Sequence, residues 1–185
     1  MPRKKSNLKS SLIDAGIIQI KKRGINELSL REITNKCNVS HSSLYKYFPH
    51  KKDYLNAVMN KLEINFNEFL TKGANTGTAQ ENLVKMGVNF VNYAKEHTNE
   101  FNSLFLNCTM TPVKINNFDI NQYPALSTFM TLVCELSSER DYLEVGIHLW
   151  SYIVGLSVII SNNDLEADEA WIKNNIKQMM IRYFD

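Results

Sequence analysis

The chain has 185 residues and a mass of 21.3 kDa, which allows one domain or two small ones. Its 44% of apolar residues, with only 7 Gly and 4 Pro, exclude disordered and collagen-like proteins. The charged N-terminal residues precede no apolar signal core, and the longest apolar run, 147–160, is shorter than the roughly 20 residues that span a bilayer. Because the three cysteines are widely spaced and form no CxxC pair, we expect a cytoplasmic protein in a reduced compartment.

The charge is divided along the chain, although its net value is only +2. Residues 1–55 hold 12 Lys and Arg against 4 Asp and Glu, whereas residues 56–185 hold 9 against 15. A basic head on an acidic body indicates that one end meets a polyanion, since Lys and Arg dominate the binding of phosphate backbones. The alternative is an uneven surface without a partner.

Helical patterns follow one another from the N-terminus. Helix one has apolar residues near one face and ends with three cations before Gly24, a helix stop. Ser29 followed by Glu32 predicts a capping box at the second helix, and Asn38 suits the left-handed turn after it. Ser40 is placed to cap a third helix that Pro49 ends. The predicted helices here are about 7–23, 30–37, 41–48 and 51–71.

The remaining two thirds of the chain also read as helical. A loop at 73–77 precedes further helices, and 111–123 reads as another loop. No run has the alternation and turn chemistry of a β-hairpin, so we predict an all-α fold of about nine helices. The predicted helices here are about 79–97, 99–106, 124–137, 141–161 and 166–184. We place a domain boundary near residue 55, between the basic head at 1–55 and the acidic body at 56–185.

The second and third helices form the layout of a helix-turn-helix. Apolar residues on the two helices, Ile33, Cys37, Val39, Leu44 and Phe48, predict a small core against helix one. The second helix of such a unit enters the major groove of DNA. Its outward face here carries hydrogen-bonding side chains suited to phosphates and base edges: His41, Ser42, Ser43, Tyr45, Lys46 and Tyr47. A polar-faced helical hairpin without a nucleic-acid role is the alternative.

The residues themselves point to a family. Ser29-Leu30-Arg31-Glu32-Ile33, Cys37-Asn38-Val39-Ser40 and Leu44-Tyr45-Lys46-Tyr47-Phe48-Pro49 with Lys51 closely resemble the DNA-binding head of TetR/AcrR-type transcriptional regulators. The resemblance covers about residues 8–55 without a gap. Cys37-Asn38, Gly16, Ile20 and His41-Ser42-Ser43 depart from the usual residues. The departures in the core keep small or apolar character, whereas those in the recognition helix leave the operator sequence open.

The resemblance implies roles for individual residues. Ser29 would hold a backbone phosphate at the second helix, and Lys51 would hold another at the start of the fourth. Tyr45 is expected to contact DNA, whereas Tyr47 is equally compatible with packing on the small core. Arg3, Lys4 and Lys5 either form a minor-groove arm or play no part. The full set of residues expected at DNA is Ser29, Ser40, His41, Ser42, Ser43, Tyr45, Lys46, Tyr47 and Lys51.

The body resembles the family loosely. Trp150-Ser151-Tyr152-Ile153-Val154-Gly155 is similar to the Trp-His-Gly segment of one subgroup, with Val154 in place of His. By this analogy the last two helices pair with those of a second copy, through Gly155, Trp171, Ile172, Ile176, Met179 and Tyr183; packing of the protomer core is the alternative. A small effector would lie among Phe66, Met86, Phe90, Tyr93, Phe101, Phe105, Met110, Phe129, Met130, His148 and Trp150, each of which is equally suited to an ordinary core.

Together these features predict a homodimeric repressor of a near-palindromic operator, released by a small molecule. Double-stranded DNA, a second copy and the effector are its expected partners, with no membrane, cofactor or metal. An enzyme is the first alternative, but GxSxG, Walker and GxGxxG patterns and metal-ligand spacings are missing from the sequence. A DNA-organising or adaptor protein without an effector is the second.

Overall fold

The computed structural model describes residues 5–107, 120, 123–137, 142–162 and 165–184. Within these ranges the regular elements are all helical, which confirms the predicted fold class. The predicted loop at 111–123 lies mostly outside them, as do Arg3, Lys4, Cys108 and Met110, and the Lys5 side chain is not described. The α-helices of the described residues are α1 Lys5–Arg23, α2 Leu30–Lys36, α3 His41–Tyr45, α4 Lys51–Thr71, α5 Ala79–Glu96, α6 Thr98–Phe101, α7 Pro124–Leu136, α8 Tyr142–Ser161 and α9 Glu169–Phe184.

Backbone turns stand where the sequence predicted them. Gly24 follows the cationic last turn of α1 and has a φ of 79°, a conformation that costs glycine nothing. Asn38 has a φ of 55° between α2 and α3. In the part of the chain that the structure describes, it is the one non-glycine residue with a positive φ. The left-handed turn therefore fixes the path from α2 into α3.

The capping box predicted at α2 forms only in part. Ser29 Oγ accepts a hydrogen bond from the Glu32 backbone N–H at 3.4 Å. The Glu32 carboxylate does not return to Ser29, because it binds the side chains of Arg23 and Gln19 on α1. A complete box, which the sequence analysis did not identify, starts α5 between Thr78 and Glu81, and the Thr78 backbone hydrogen bond lowers the pKa of the Glu81 carboxyl.

The predicted third helix, residues 41–48, is called the recognition segment below, and its α-helical part is shorter than predicted. α3 ends at Tyr45, and the backbone N–H groups of Tyr47 and Phe48 both donate to the Leu44 carbonyl at 3.0 Å. The chain tightens here because the residue before Pro49 is disfavoured in the helical region. This turn brings Phe48 onto the core while Lys46 stays exposed.

One compact unit consists of residues 5–63 with the described residues 99–107. Its core confirms the predicted small core of the head, with Val39 only partly buried and Tyr54 and Val58 of α4 added. Burial of these side chains holds the three short helices in one arrangement. The buried core residues are Leu12, Ala15, Ile17, Ile20, Leu28, Leu30, Ile33, Cys37, Leu44, Phe48, Tyr54, Val58 and Leu62.

Residues from after α5 complete this first unit. Asn99 Nδ2 donates to the Lys21 carbonyl at 2.9 Å, and the Lys21 ammonium lies 3.3 Å from the Glu100 carboxylate, which is buried. The fully buried Ser103 hydroxyl accepts from the Ile25 N–H at 3.1 Å within the π-helical turn Asn102–Leu106. A distant segment thus fastens the end of α1, while the functional boundary at residue 55 stays a prediction.

The second compact unit contains residues 64–98 and the described residues from 120 onwards. α5 lies at its centre and contacts α7, α8 and α9. Asn89 of α5 is buried and its amide donates to the carbonyls of Leu70 and Lys72, each at 2.9 Å, so it caps the end of α4. The buried Asn89 amide therefore satisfies backbone carbonyls that would otherwise lack a partner between α4 and α5.

α8 is longer than the apolar run 147–160 that lies within it. The helix has 20 residues and a mean hydropathy of 1.7, so by length and composition it is able to cross a membrane. It is the one such helix among the described residues, and one helix is weak support because core helices pass the same test. Here it packs against α5, α7 and α9.

Candidate functional site

The outward face of α3 carries the side chains predicted to meet DNA. Leu44 is fully buried and fixes the rotation of the helix, so that His41, Ser42, Tyr45 and Lys46 are exposed. The His41 and Tyr45 rings meet edge to face, with centroids 5.2 Å apart. This contact holds the Tyr45 ring beside α3 and leaves its hydroxyl free to bind a polyanion or a base edge.

Three serine hydroxyls meet at the start of α3. Ser40 Oγ lies 2.9 Å from Ser42 Oγ and 2.9 Å from Ser43 Oγ. Ser40 occupies the N-cap position but makes no side-chain hydrogen bond to the backbone, so the predicted cap is wrong in that detail. The cluster leaves lone pairs and protons available to an incoming group.

The two tyrosines of the segment differ in their surroundings. Tyr45 is 39% exposed, whereas Tyr47 is half-buried and packs against the core of the first unit. These surroundings suit a DNA contact for Tyr45. For Tyr47, where the sequence left contact and packing open, they suit packing.

Cations flank the end of the recognition segment. Lys46 and Lys51 are exposed on either side of Phe48 and Pro49. The His50 backbone N–H donates to Asp53 Oδ2 at 2.9 Å, which caps the start of α4 and fixes where Lys51 begins. The two ammonium groups are therefore presented from ordered backbone.

Gln19 is a residue of the site that sequence reasoning missed. Its amide oxygen accepts from the Ser29 N–H at 2.9 Å, and its amide nitrogen donates to Glu32 Oε2 at 3.1 Å. Gln19 is only 8% exposed, so α1 holds the entrance of α2 by buried polar contacts. A polar residue seven positions after Leu12 falls on the buried face of α1, and that signal was available in the sequence.

An aromatic cluster occupies the second unit. Phe66 packs edge to face on Phe90 at 5.3 Å and on Tyr93 at 4.9 Å, while Trp150 packs on Phe90 and Phe129, each at 5.2 Å between ring centroids. The cluster brings together five of the eleven predicted pocket residues, and buried Met86 and Met130 lie in the same unit. Phe101 and Phe105 instead belong to the first unit.

An apolar cavity lies elsewhere in the second unit. Its volume is about 10 Å³, roughly the room of one water molecule. Of the predicted pocket residues only Phe129 lines it, and none of its lining residues is charged. They are Leu83, Phe129, Leu149, Tyr152, Ile153, Ile176, Met179 and Met180.

The predicted dimer residues divide between surface and core. Gly155 is exposed, and Trp171 and Tyr183 are 41% and 36% exposed. Ile172 and Ile176 are buried within the protomer, and Met179 is half-buried. His148, predicted for the pocket, is exposed and its ring lies 5.8 Å from that of Tyr183.

An exposed stripe on α8 was only partly predicted. Leu143, Ile147, Ser151, Gly155 and Ile159 follow one another at four-residue spacing and are all exposed. This spacing places them on one face of the helix. Two small residues lie in its middle, so the face combines apolar area with room for a close neighbour.

Metal chemistry has no candidate site in the described ranges. No group of three or more His, Cys, Asp or Glu side chains is arranged there to hold a metal ion.

Comparison with known proteins links the first unit to a family. The family model described as "Bacterial regulatory proteins, tetR family" matches residues 12–58, which include α2, α3 and the start of α4. No curated protein matches the sequence significantly. The matched segment contains the buried core, the left-handed turn and the exposed face of α3.

Solved structures share the fold over nearly the whole chain. A TetR-like transcriptional regulator from Rhodococcus sp. RHA1 is 18% identical with a TM-score of 0.64, covering 98% of this chain and 97% of that one. A tetR-family transcriptional regulator from Streptomyces coelicolor is 15% identical with a TM-score of 0.68, covering 96% and 78%. The regulator FadR from Bacillus subtilis, solved in complex with stearoyl-CoA, is 15% identical with a TM-score of 0.69, covering 93% and 97%.

The head and the whole-chain fold lead to the same assignment. The family model accounts for the helix-turn-helix, and the solved structures account for the all-α architecture. Regulators of this family are in general not enzymes. Residues 12–58 match the tetR family of bacterial regulatory proteins, and the whole chain has the fold of solved transcriptional regulators; these similarities support a DNA-binding transcriptional regulator.

Proposed function

We propose that the protein is a repressor that binds a near-palindromic operator as a homodimer and releases it when a small molecule binds. The observation that carries the proposal is the exposed face of α3, where His41, Ser42, Tyr45 and Lys46 stand on a fully buried Leu44. A recognition helix with this arrangement enters the major groove with its first residues at base edges.

Phosphate contacts surround this face in the proposal. Ser29 Oγ and the exposed Lys46 and Lys51 hold the backbone on the two sides of the groove. The serine cluster of Ser40, Ser42 and Ser43 supplies short donors at the front of α3. Tyr47 is left out of the contacts because its ring packs on the core.

Two copies are needed because one head reads few base pairs. Helix-turn-helix dimers place their recognition helices about 34 Å apart, on successive turns of the duplex. The α8 stripe Leu143, Ile147, Ser151, Gly155 and Ile159, with Trp171 and Tyr183 of α9, forms the proposed self-complementary face. Ile172 and Ile176 are not part of it, since the protomer buries them.

The effector is proposed to enter the second unit. The aromatic cluster of Phe66, Phe90, Tyr93, Phe129 and Trp150 supplies an adaptable apolar wall, and the small cavity beside Phe129 would have to widen to admit a ligand. The stearoyl-CoA in the Bacillus subtilis regulator supports an apolar ligand for a body of this fold. Phe105 and His148 are left out, the first because it belongs to the first unit and the second because it is exposed.

The coupling is proposed as a population shift. A ligand that binds one conformation of the body more tightly favours it, and a moved head no longer matches the half-site spacing. α4 is one continuous helix whose residues belong to both units, so it is the natural carrier of the change. Asp53, Tyr54 and Leu55 lie at its start, where the motion reaches the head.

A selection experiment tests the DNA-binding part. Bound sites are selected from random duplexes, and the affinity of the best site is measured at 50 and 200 mM salt. We expect Tyr45→Phe and Lys51→Ala each to weaken binding several-fold without lowering the unfolding temperature, because both side chains are exposed. Lys51→Ala reduces the magnitude of the log–log salt slope by about 1.8, because the homodimer loses two phosphate contacts, and Tyr45→Phe leaves the slope unchanged. Equal binding of all duplexes by the wild type, or unaltered affinity in both variants, contradicts the proposal.

A thermal-shift screen tests the effector. A metabolite and drug library with neutral and anionic apolar compounds is expected to yield a ligand that raises the unfolding temperature and weakens operator binding. Trp150→Ala is the probe variant, and Lys85→Ala, on the exposed surface of α5, is its control. The closed edge-to-face packing of the cluster favours a second function, a DNA-binding protein without an effector. A screen without a hit supports that function.

A further inference from the structure

Lys9 of α1 is a cation whose ammonium group lies over an aromatic ring. Its ammonium nitrogen lies 5.5 Å from the centroid of the Phe48 ring, and among the described residues no carboxylate is within ion-pair distance of it. By contrast, Lys21 is paired with Glu100 and Arg23 with Glu32. The two paired cations already have a counter-charge within the protein, whereas no carboxylate of the described residues lies within ion-pair distance of Lys9.

The Phe48 ring under the Lys9 ammonium is held in a fixed position. Phe48 is the last residue of the recognition segment before Pro49 and is almost fully buried, so its ring is a fixed surface. Lys46 precedes it by two residues and Lys51 follows it by three, and both ammonium groups are exposed. Lys9 therefore brings a cation from α1 to the ring of Phe48, a residue that Lys46 and Lys51 flank in the sequence.

The cation–π contact gives this ammonium a preferred place. A ring face attracts a cation electrostatically and limits the space that a flexible lysine explores. A cation that is ordered in advance and has no carboxylate partner is suited to a strong anion, and the duplex backbone supplies phosphates beside a recognition helix.

We propose that Lys9 makes a phosphate contact with the operator, held in place by the Phe48 ring. The proposal rests on the proposed function, because it adds a contact to the same DNA-binding site. It adds a contact from α1 to the contacts proposed above, which come from Ser29, from α3 and from Lys51. The occupant is one phosphate of the duplex backbone, so the contact adds affinity and not base specificity.

Salt dependence tests the contact with the full-length protein and the selected operator. Lys9→Met keeps the side-chain stem and removes the charge. Each homodimer loses two such contacts, so we expect its log–log salt slope to be smaller in magnitude than that of the wild type by about 1.8. Its affinity deficit then shrinks by about 12-fold between 50 and 200 mM salt, which is the fourfold change in salt raised to the power of that slope difference.

Two further variants separate the contact from other effects. Lys9→Arg keeps a cation over the ring and is expected to restore the wild-type slope. Lys85→Met makes the same charge change on the exposed surface of α5 and is expected to leave the slope unaltered. Unfolding temperatures of all variants are measured first, since an exposed lysine should not affect folding.

The outcomes distinguish this inference from the proposed function. If the wild type shows no preferred duplex, the proposed function fails. If the wild type binds its operator and Lys9→Met keeps the full slope, the Lys9 contact is overturned while the proposed function stands. Equal slope changes in Lys9→Met and Lys85→Met also overturn it, because they report the net charge alone.

Discussion

Replacing Gly16 by alanine is expected to lower the free energy of unfolding by about 1–3 kcal/mol, the range typical of overpacked cores. The direction is notable because alanine is favoured over glycine inside a helix by about 1 kcal/mol. Gly16 lies within α1, where propensity alone predicts a gain. Thermal or urea unfolding, followed by circular dichroism, measures the change.

The loss comes from the space that Tyr54 occupies. A methyl group added at Gly16 would overlap the Tyr54 hydroxyl oxygen and would lie 2.8 Å from Val58 Cγ2. That hydroxyl donates to the Leu12 carbonyl at 2.8 Å, and burial, with the nearby Cys37, raises its pKa far above the ordinary value. The hydroxyl stays protonated as a donor, and the ring, which packs edge to face on Phe48, has little freedom to move.

A double-mutant cycle checks this reason. Tyr54→Phe alone removes one hydrogen bond and is expected to cost about 1 kcal/mol. In Gly16→Ala with Tyr54→Phe the oxygen is gone, so the double variant should be more stable than the sum of the single changes predicts by about 0.5–3 kcal/mol. Additive effects of the two substitutions would show that the methyl group is accommodated in another way.

Local patterns explain why the head was predictable. The Ser29 position, the left-handed Asn38 and the apolar spacing in α2 and α3 all point to the same arrangement, and the structure has it. Such features depend on residues close in the chain, where helix caps and turns act. The ends of the long helices were predicted within a few residues for the same reason.

Contacts between distant residues were beyond the sequence. Glu32 was expected to bind Ser29 but is taken by Gln19 and Arg23, and Ser103 binds Ile25 across 78 positions. A periodic pattern places Gln19 on the buried face of α1, but it does not identify the residues that a buried glutamine or serine binds. Pocket and dimer residues are uncertain from sequence for a related reason, since core and interface are built from the same apolar residue types.

Introducing lysine at Gly155 is expected to abolish the dimer without harming the protomer. Gly155 is exposed on α8, and an added Cβ there meets nothing within 4 Å. Lysine is also a better helix former than glycine, so the protomer should gain up to about 1 kcal/mol. A charged side chain in the centre of the Leu143, Ile147 and Ile159 stripe keeps a second helix from approaching.

Loss of the dimer by Gly155→Lys should also lower the affinity for the operator. Two linked heads bind about 100-fold or more tightly than one, because the second contact becomes intramolecular. Gly155→Lys should therefore lose about that factor in operator affinity, and light scattering should give the protomer mass of 21.3 kDa. Gly155→Ala, which keeps the close approach and gains helix propensity, is the matched control and should remain a tight-binding dimer. A Gly155→Lys protein that stays dimeric, with affinity within about twofold of the wild type, places the interface on another face; because its fold is unchanged, that result cannot be attributed to unfolding.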